Sequence, residues 1–278
     1  MQLYDIHMHT VHSDGKNTVD EMCRAAIDKG MTGIAITDHA DMYCFEEKDT
    51  LASIGRLIED VKAARETYAG TLDVLCGVEL GEYAMAPHKA DSVLSLEGLD
   101  VVIYSEHYVT KAKWPLPYSK IRFCDEGSDD EIRDYMKWYF EQINTTMDLF
   151  DFDVLGHLTC PARYITGRHG RATDVLLSEK TVTEILKKII DRDIALELNT
   201  CGRCCQSFGC YDAQNEAVLQ MYYALGGRKI TLGSDAHAVG GIGRGFEAAA
   251  KQLAAMGFDG YYYYRNRKPI KVAFEKEG

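Results

Sequence analysis

Nine side chains of this sequence share one donor chemistry: His7, His9, Asp14, His39, Glu79, His107, His157, Asp235 and His237. Imidazole nitrogens are borderline donors and carboxylates add anionic charge, the mixture that divalent zinc, manganese or iron takes up. Singly, most have an ordinary reading. His7-Met8-His9 is a His-x-His pair, which in a strand puts both imidazoles on one face, but such pairs also arise by chance. Thr37-Asp38-His39 could be a capped turn, and Ser234-Asp235-Ala236-His237 a helix N-cap. Glu79 is harder to dismiss, because it falls in an apolar run and a buried carboxylate needs a partner. Together the nine predict a site for two to three divalent metal ions.

Groups so far apart in sequence meet only if a regular scaffold brings each back to one place. Seven apolar segments do recur, LYDIHMH, TGIAITDH, DVLCGVEL, DVVIYSEH, FDVLGHL, IALELNT and KITLGSD, starting near residues 3, 32, 73, 100, 152, 194 and 229. Apolar runs of this kind suit strands buried on both faces of a parallel sheet. Helical periodicity fills the intervals: a stretch opened by a capping box from Thr18 to Glu21, then 51–68, 129–150, 178–191, 212–225 and 246–256. Gly30, Gly226 and Gly257 stand where helices should stop. Pro115 and Pro117 mark an irregular loop after the fourth strand, and Tyr261 to Tyr264 read as packing and edge-strand residues. The alternation predicts an α/β fold, a distorted (β/α)7 TIM-like barrel in a single domain over residues 1–278, with an open doubly wound sheet as the structural competitor. In such barrels the C-terminal strand ends converge on one mouth. Six of the nine histidines lie at or just past those ends.

Composition narrows the partners. The 278 residues are 46% hydrophobic and 27% charged, as in ordinary globular proteins, and the formal net charge is -12. So acidic a surface repels phosphate backbones, so no nucleic-acid partner is expected. No apolar run approaches the length of a membrane span, and MQLYDIHMHT lacks the pattern of a signal peptide, so a cytoplasmic protein with no membrane partner is expected. The nine cysteines then read as reduced thiols. Cys201, Cys204, Cys205 and Cys210 fall short of the paired spacing of structural zinc sites. His12, His88 and His169 read as loop or surface residues.

The ordered set His-x-His-Thr-x-x-Ser-Asp-Gly from His7 to Gly15, Thr37-Asp38-His39, Gly77-Val78-Glu79, Ser105-Glu106-His107, Gly156-His157 and Gly233-Ser234-Asp235-Ala236-His237 resembles the PHP (polymerase and histidinol phosphatase) superfamily. The resemblance implies a (β/α)7 barrel carrying up to three metals. Carried over by position, it implies one ion on His7, His9, Glu79 and Asp235, a second on Glu79, His107 and His157, and a third on Asp14, His39 and His237. Glu79 would bridge the first two. Many phosphatases of the superfamily have His where this chain has Asp14, and an oxygen there shifts the third site towards harder ions. Three divalent ions, balanced by three carboxylates and a bridging hydroxide, leave a charge of about +2, matched to a phosphate dianion.

Further segments resemble the histidinol-phosphate phosphatase branch: His157-Leu158 with Arg163-Tyr164, Leu196-Glu197-Leu198-Asn199-Thr200, Gly243-Arg244-Gly245-Phe246 and Arg265-Asn266-Arg267-Lys268-Pro269. The resemblance implies a metal-dependent phosphomonoesterase acting on a small phosphorylated substrate, L-histidinol phosphate, by in-line attack of a metal-activated hydroxide. Glu79 and Asp235 would serve catalysis through the metals, and Arg163 by clamping the phosphoryl group in a charge-assisted fork. Arg203 on a neighbouring loop is a further phosphate-side candidate. Glu106, with Asp41, Glu46 and Glu47 after the second strand, would receive the substrate's amine. Two rival readings stay open: a PHP phosphoesterase for another small ester such as a nucleotide, and a non-catalytic PHP barrel.

Overall fold

The alternation of apolar and amphipathic stretches folds as a parallel sheet lined with helices. The computed structural model describes residues 2–171, 178–201 and 209–274. Its strands are β1 (Tyr4–Asp5), β2 (Gly33–Ile36), β3 (His39–Asp41), β4 (Asp73–Gly81), β5 (Val101–Ser105), β6 (Val154–Leu155), β7 (Ala195–Asn199), β8 (Ile230–Gly233), β9 (Gly260–Arg265) and β10 (Lys268–Ala273). The helices are α1 (Val19–Asp28), α2 (Thr50–Thr67), α3 (Pro87–Leu94), α4 (Asp129–Thr146), α5 (Cys160–Ala162), α6 (Glu179–Asp191), α7 (Gly209–Ala224) and α8 (Phe246–Ala255). Each of the seven expected strands is present, and α3, α5, β3 and β10 are additions that sequence periodicity did not reveal.

Strands β1, β2, β4, β5, β6, β7 and β8 pair in parallel in that order. The residues after β1 then close the ring against β8. Ile6 N donates to Leu232 O (3.2 Å), Asp235 N to His7 O (2.8 Å) and His9 N to Ala236 O (2.9 Å), with a parallel bridge between Met8 and Ala236. These bonds decide for a barrel over an open sheet. They also carry the His-x-His segment and the Ser-Asp-Ala-His segment side by side to the same end.

Helix α1 starts as its capping box requires. Thr18 accepts from the Glu21 backbone while Glu21 reaches back to the cap, and Val19, Met22, Cys23 and Ala26 turn into the core. Gly30, Gly226 and Gly257 do take the left-handed conformation that ends a helix. At the opposite pole β9 and β10 form an antiparallel hairpin. Tyr4 N donates to Tyr261 Oη at 2.9 Å, and the Tyr4 ring stacks on Tyr263 at 3.7 Å, so the tyrosine run is packing, as expected. Among the described residues no helix is long and apolar enough to cross a membrane.

Candidate metal centre

Glu79, near the end of β4, is completely buried, and its two oxygens face different partners. Oε2 lies 3.3 Å from His7 Nε2, 3.5 Å from His9 Nε2 and 2.9 Å from His39 Nδ1. Oε1 lies 2.7 Å from His157 Nε2 and 3.3 Å from His107 Nε2. Asp235, held in a left-handed backbone conformation just past β8, sets Oδ1 3.4 Å from His9 Nε2 and 3.3 Å from His237 Nδ1. Asp14 Oδ1 meets His237 Nε2 at 2.9 Å and His39 Nε2 at 3.6 Å. All nine expected side chains therefore converge on one end of the barrel.

The donor set can be tested for its fit to metal ions. His7 Nε2, both ring nitrogens of His9 and Glu79 Oε2 are buried without a hydrogen-bond partner among the described residues. Polar atoms buried that way are rare in folded proteins and call for a group to complete them. Burial would raise the Glu79 carboxyl, but the imidazoles of His7, His39 and His107 hold it well below the usual carboxylate range. Burial and then the neighbouring His237 and His39 keep His9 well below the ordinary imidazole value, hence neutral, the form that binds metal. A neutral His9 imidazole and an ionised Glu79 carboxylate, buried and convergent with the other imidazoles and carboxylates, fit divalent ions. Candidate groupings by proximity among the described residues are His7, His9 and Glu79; His39, Glu79 and His107; His9, Asp14, His39 and His237; and Asp41, Glu82 and His107.

A family model described as the PHP domain matches residues 5–201. The chain belongs to the PHP domain family. Its relatives include a probable histidinol-phosphatase of Deinococcus radiodurans, 28% identical over 92% of this chain and 94% of the relative. Another, from Thermotoga maritima, is 27% identical over 97% of this chain and 99% of the relative. Among solved structures, the histidinol phosphate phosphatase of Lactococcus lactis subsp. lactis, complexed with zinc, L-histidinol and phosphate, superposes with a TM-score of 0.80. The alignment covers 97% of this chain and 99% of that chain at 19% identity. That likeness shows a shared fold.

Around the PHP donor set lies a shell of acids that the sequence reading assigned no part in the site. Asp38 accepts from Thr10 N (2.7 Å), Thr10 Oγ1 (2.6 Å) and Ser13 Oγ (2.5 Å), which explains why the His-x-His is followed by Thr-x-x-Ser. Glu197 on β7 binds His7 Nδ1 at 2.6 Å and accepts from His157 N at 2.7 Å. Burial works to raise Glu197, yet His7 outweighs it and holds the carboxyl below its usual value. Gly233 is small for the same reason: a Cβ there would overlap Glu197 Oε1 and lie 2.6 Å from His7 Cβ. Glu82 accepts from His107 N (2.6 Å) and Tyr108 N (3.1 Å), and burial followed by repulsion from Asp41 pushes it well above the ordinary range. The available signal was the one that singled out Glu79, a carboxylate inside or just beyond an apolar strand.

Several substrate-side expectations need correcting. Glu106 does not face the mouth. It is buried towards α4, accepting from Tyr104 Oη and Gln142 Nε2, both at 2.6 Å, and burial pushes its carboxyl up to about 7. The cause is strand alternation, since Glu106 directly precedes the inward-turned His107. Asp41 does line the cavity, but it is largely buried and taken up by His107, 3.0 Å from its Nδ1. Glu46 pairs with Lys89 on the surface at 2.6 Å. Arg163 lies buried in the wall, not on a loop reaching over the mouth: Nη1 donates to Asp235 Oδ2 (3.3 Å) and Nη2 to Asn199 Oδ1 (2.7 Å). Arg203, Cys204 and Cys205 lie outside the described residues, as does the side chain of Cys210.

The PHP centre opens into a cavity of about 280 Å³. Beyond the candidate ligands its wall carries Tyr43, Tyr118 and Tyr164 with Lys48, Lys120 and Arg168, while its carboxylates among the described residues are Asp14, Asp41 and Asp235. His12, read as a surface or loop residue, also lines it and meets Asp60 at 2.8 Å.

Proposed function

We propose that this chain is a metal-dependent phosphomonoesterase that hydrolyses L-histidinol phosphate to L-histidinol and phosphate. The observation that carries the reading is the division of the Glu79 carboxylate, one oxygen towards His7, His9 and His39 and the other towards His107 and His157. A carboxylate so placed can serve two ions a few ångströms apart, the arrangement used in phosphoryl transfer. The names of the full-length relatives support the substrate.

The residues that would hold the ions are His7, His9, Glu79 and Asp235 for the first, Glu79, His107 and His157 for the second, and Asp14, His39 and His237 for the third. Bound divalent ions supply charge to polarise phosphoryl oxygens and to acidify a water. The protein's own part is orientation. Glu197 and Asp41 fix the outward nitrogens of His7 and His107, and Asp38 holds the loop that carries Asp14. Arg163, buried against Asp235, places a permanent positive charge behind that candidate ligand, where it would favour charge building up on a bound phosphoryl group. With no free acid on the cavity wall among the described residues, recognition of the alcohol falls to the tyrosines, whose faces suit an imidazole ring.

The test is release of inorganic phosphate from L-histidinol phosphate by purified protein reconstituted with zinc or manganese. Turnover on the order of 1 per second or faster supports the reading. Turnover of a nucleotide or sugar phosphate in its place would transfer the same chemistry to another ester.

A further inference from the structure

Among the described carboxylates, Glu197 is placed to touch His7 and His157 on the side away from Glu79. Through Oε1 it is 2.6 Å from the Nδ1 of His7, and through Oε2 it accepts at 2.7 Å from the backbone N of His157. His7 belongs to the group on Glu79 Oε2, His157 to the group on Oε1. Glu79 thus joins the two groups from the ligand side, and Glu197 joins them from behind.

We propose that Glu197 is a positioning residue that couples the loading of the two ions sharing Glu79. The inference rests on reading the Glu79 cluster as a metal centre and is independent of the substrate. A hydrogen bond from Nδ1 of His7 to Glu197 fixes the tautomer that presents Nε2 towards Glu79. The same carboxylate sets where the chain turns after β6, and hence where the His157 ring begins. Displacing it disturbs a ligand of each ion at once. The site leaves it little freedom. Asn199 Nδ2 donates to Oε1 at 3.3 Å, and the missing side chain of Gly233 makes the space that Oε1 occupies. Asp41 differs in this respect: its contacts are with His107 and His39, not with His7 or His157.

The experiment is a metal-binding measurement on the full chain, stripped with chelator and titrated with cobalt(II), following visible absorption and counting retained ions by elemental analysis. Glu197→Gln keeps the shape but leaves one oxygen to serve the three donors that now share two. It should weaken binding of both ions that share Glu79 together, each by about tenfold or more, with changed cobalt absorption at both. Glu197→Asp, which retains the charge but withdraws it by one methylene, is the second variant and should show the same paired loss. Asp41→Asn should weaken one ion without the other. A Glu197 variant that loses a single ion while the other binds as in the parent, or that binds both unchanged, overturns the coupling. These readouts stand whether or not histidinol phosphate is the substrate.

Discussion

His39 stands opposite Glu79 in the parallel register of β3 and β4, its Nδ1 2.9 Å from the carboxylate. The pairing is local to this short strand, and it brings Asp41 alongside Gly81, within reach of His107. Three candidate ligands from three separate parts of the chain are thereby set by one piece of backbone register, and consequences follow for each level of the site.

Metal removal is the most direct check. Protein purified without chelator and supplied with zinc or manganese should carry at least two ions per chain, counted by elemental analysis. Stripping them should abolish phosphatase activity, and restoring them should recover it. Glu79→Gln should lower turnover by about a hundredfold or more, since it weakens two ion sites at once. Less than one ion per chain would sink the metal centre.

Arg163→Ala should lower kcat/KM by roughly 30- to 1,000-fold, a loss of about 2–4 kcal/mol for one preorganised charge in a water-poor site. Arg163→Lys should recover only part of it, because an ammonium lacks the fork that spans Asp235 and Asn199. Steady-state kinetics of both variants decide the matter, and a change under about threefold returns Arg163 to a purely structural place.

Glu106→Gln separates the corrected reading from the sequence expectation. Because Glu106 is buried against Tyr104 and Gln142, the variant should leave KM for histidinol phosphate within about twofold while shifting thermal stability. Tyr164→Ala should instead raise that KM by roughly two- to tenfold, the value of about 0.5–1.5 kcal/mol expected of an aromatic contact. A large KM effect of Glu106→Gln would restore it to the substrate side.

Selectivity should follow the aromatic wall. Histidinol phosphate should exceed glycerol phosphate and AMP by at least about tenfold in kcat/KM, roughly 1.4 kcal/mol of discrimination. Side-by-side turnover measures this, and a preference for AMP would move the function to nucleotide chemistry.

Asp38→Ala should release the loop that carries Asp14, since Thr10 and Ser13 would lose their shared acceptor. A cost of about 1–3 kcal/mol in unfolding free energy is expected from buried donors left unmatched. Denaturant titration of the metal-free protein checks it.

The seven strands, the barrel class and all nine candidate ligands were legible in the sequence, because they rest on local signals. Apolar runs mark buried strands, and His or carboxylate residues at their ends mark the mouth. What needed the tertiary structure was everything set by orientation across the chain. Asp41, Glu82, Glu106 and Glu197 are all acids near strand ends, and composition and spacing treat them alike. Only packing turns Asp41 to His107, Glu106 away to Gln142, and Glu197 to both His7 and His157. Barrel closure is of the same kind. Hydrogen bonds from Ile6, His9 and Asp235 join ends of the chain more than two hundred residues apart, and periodicity within a strand carries no record of its partner.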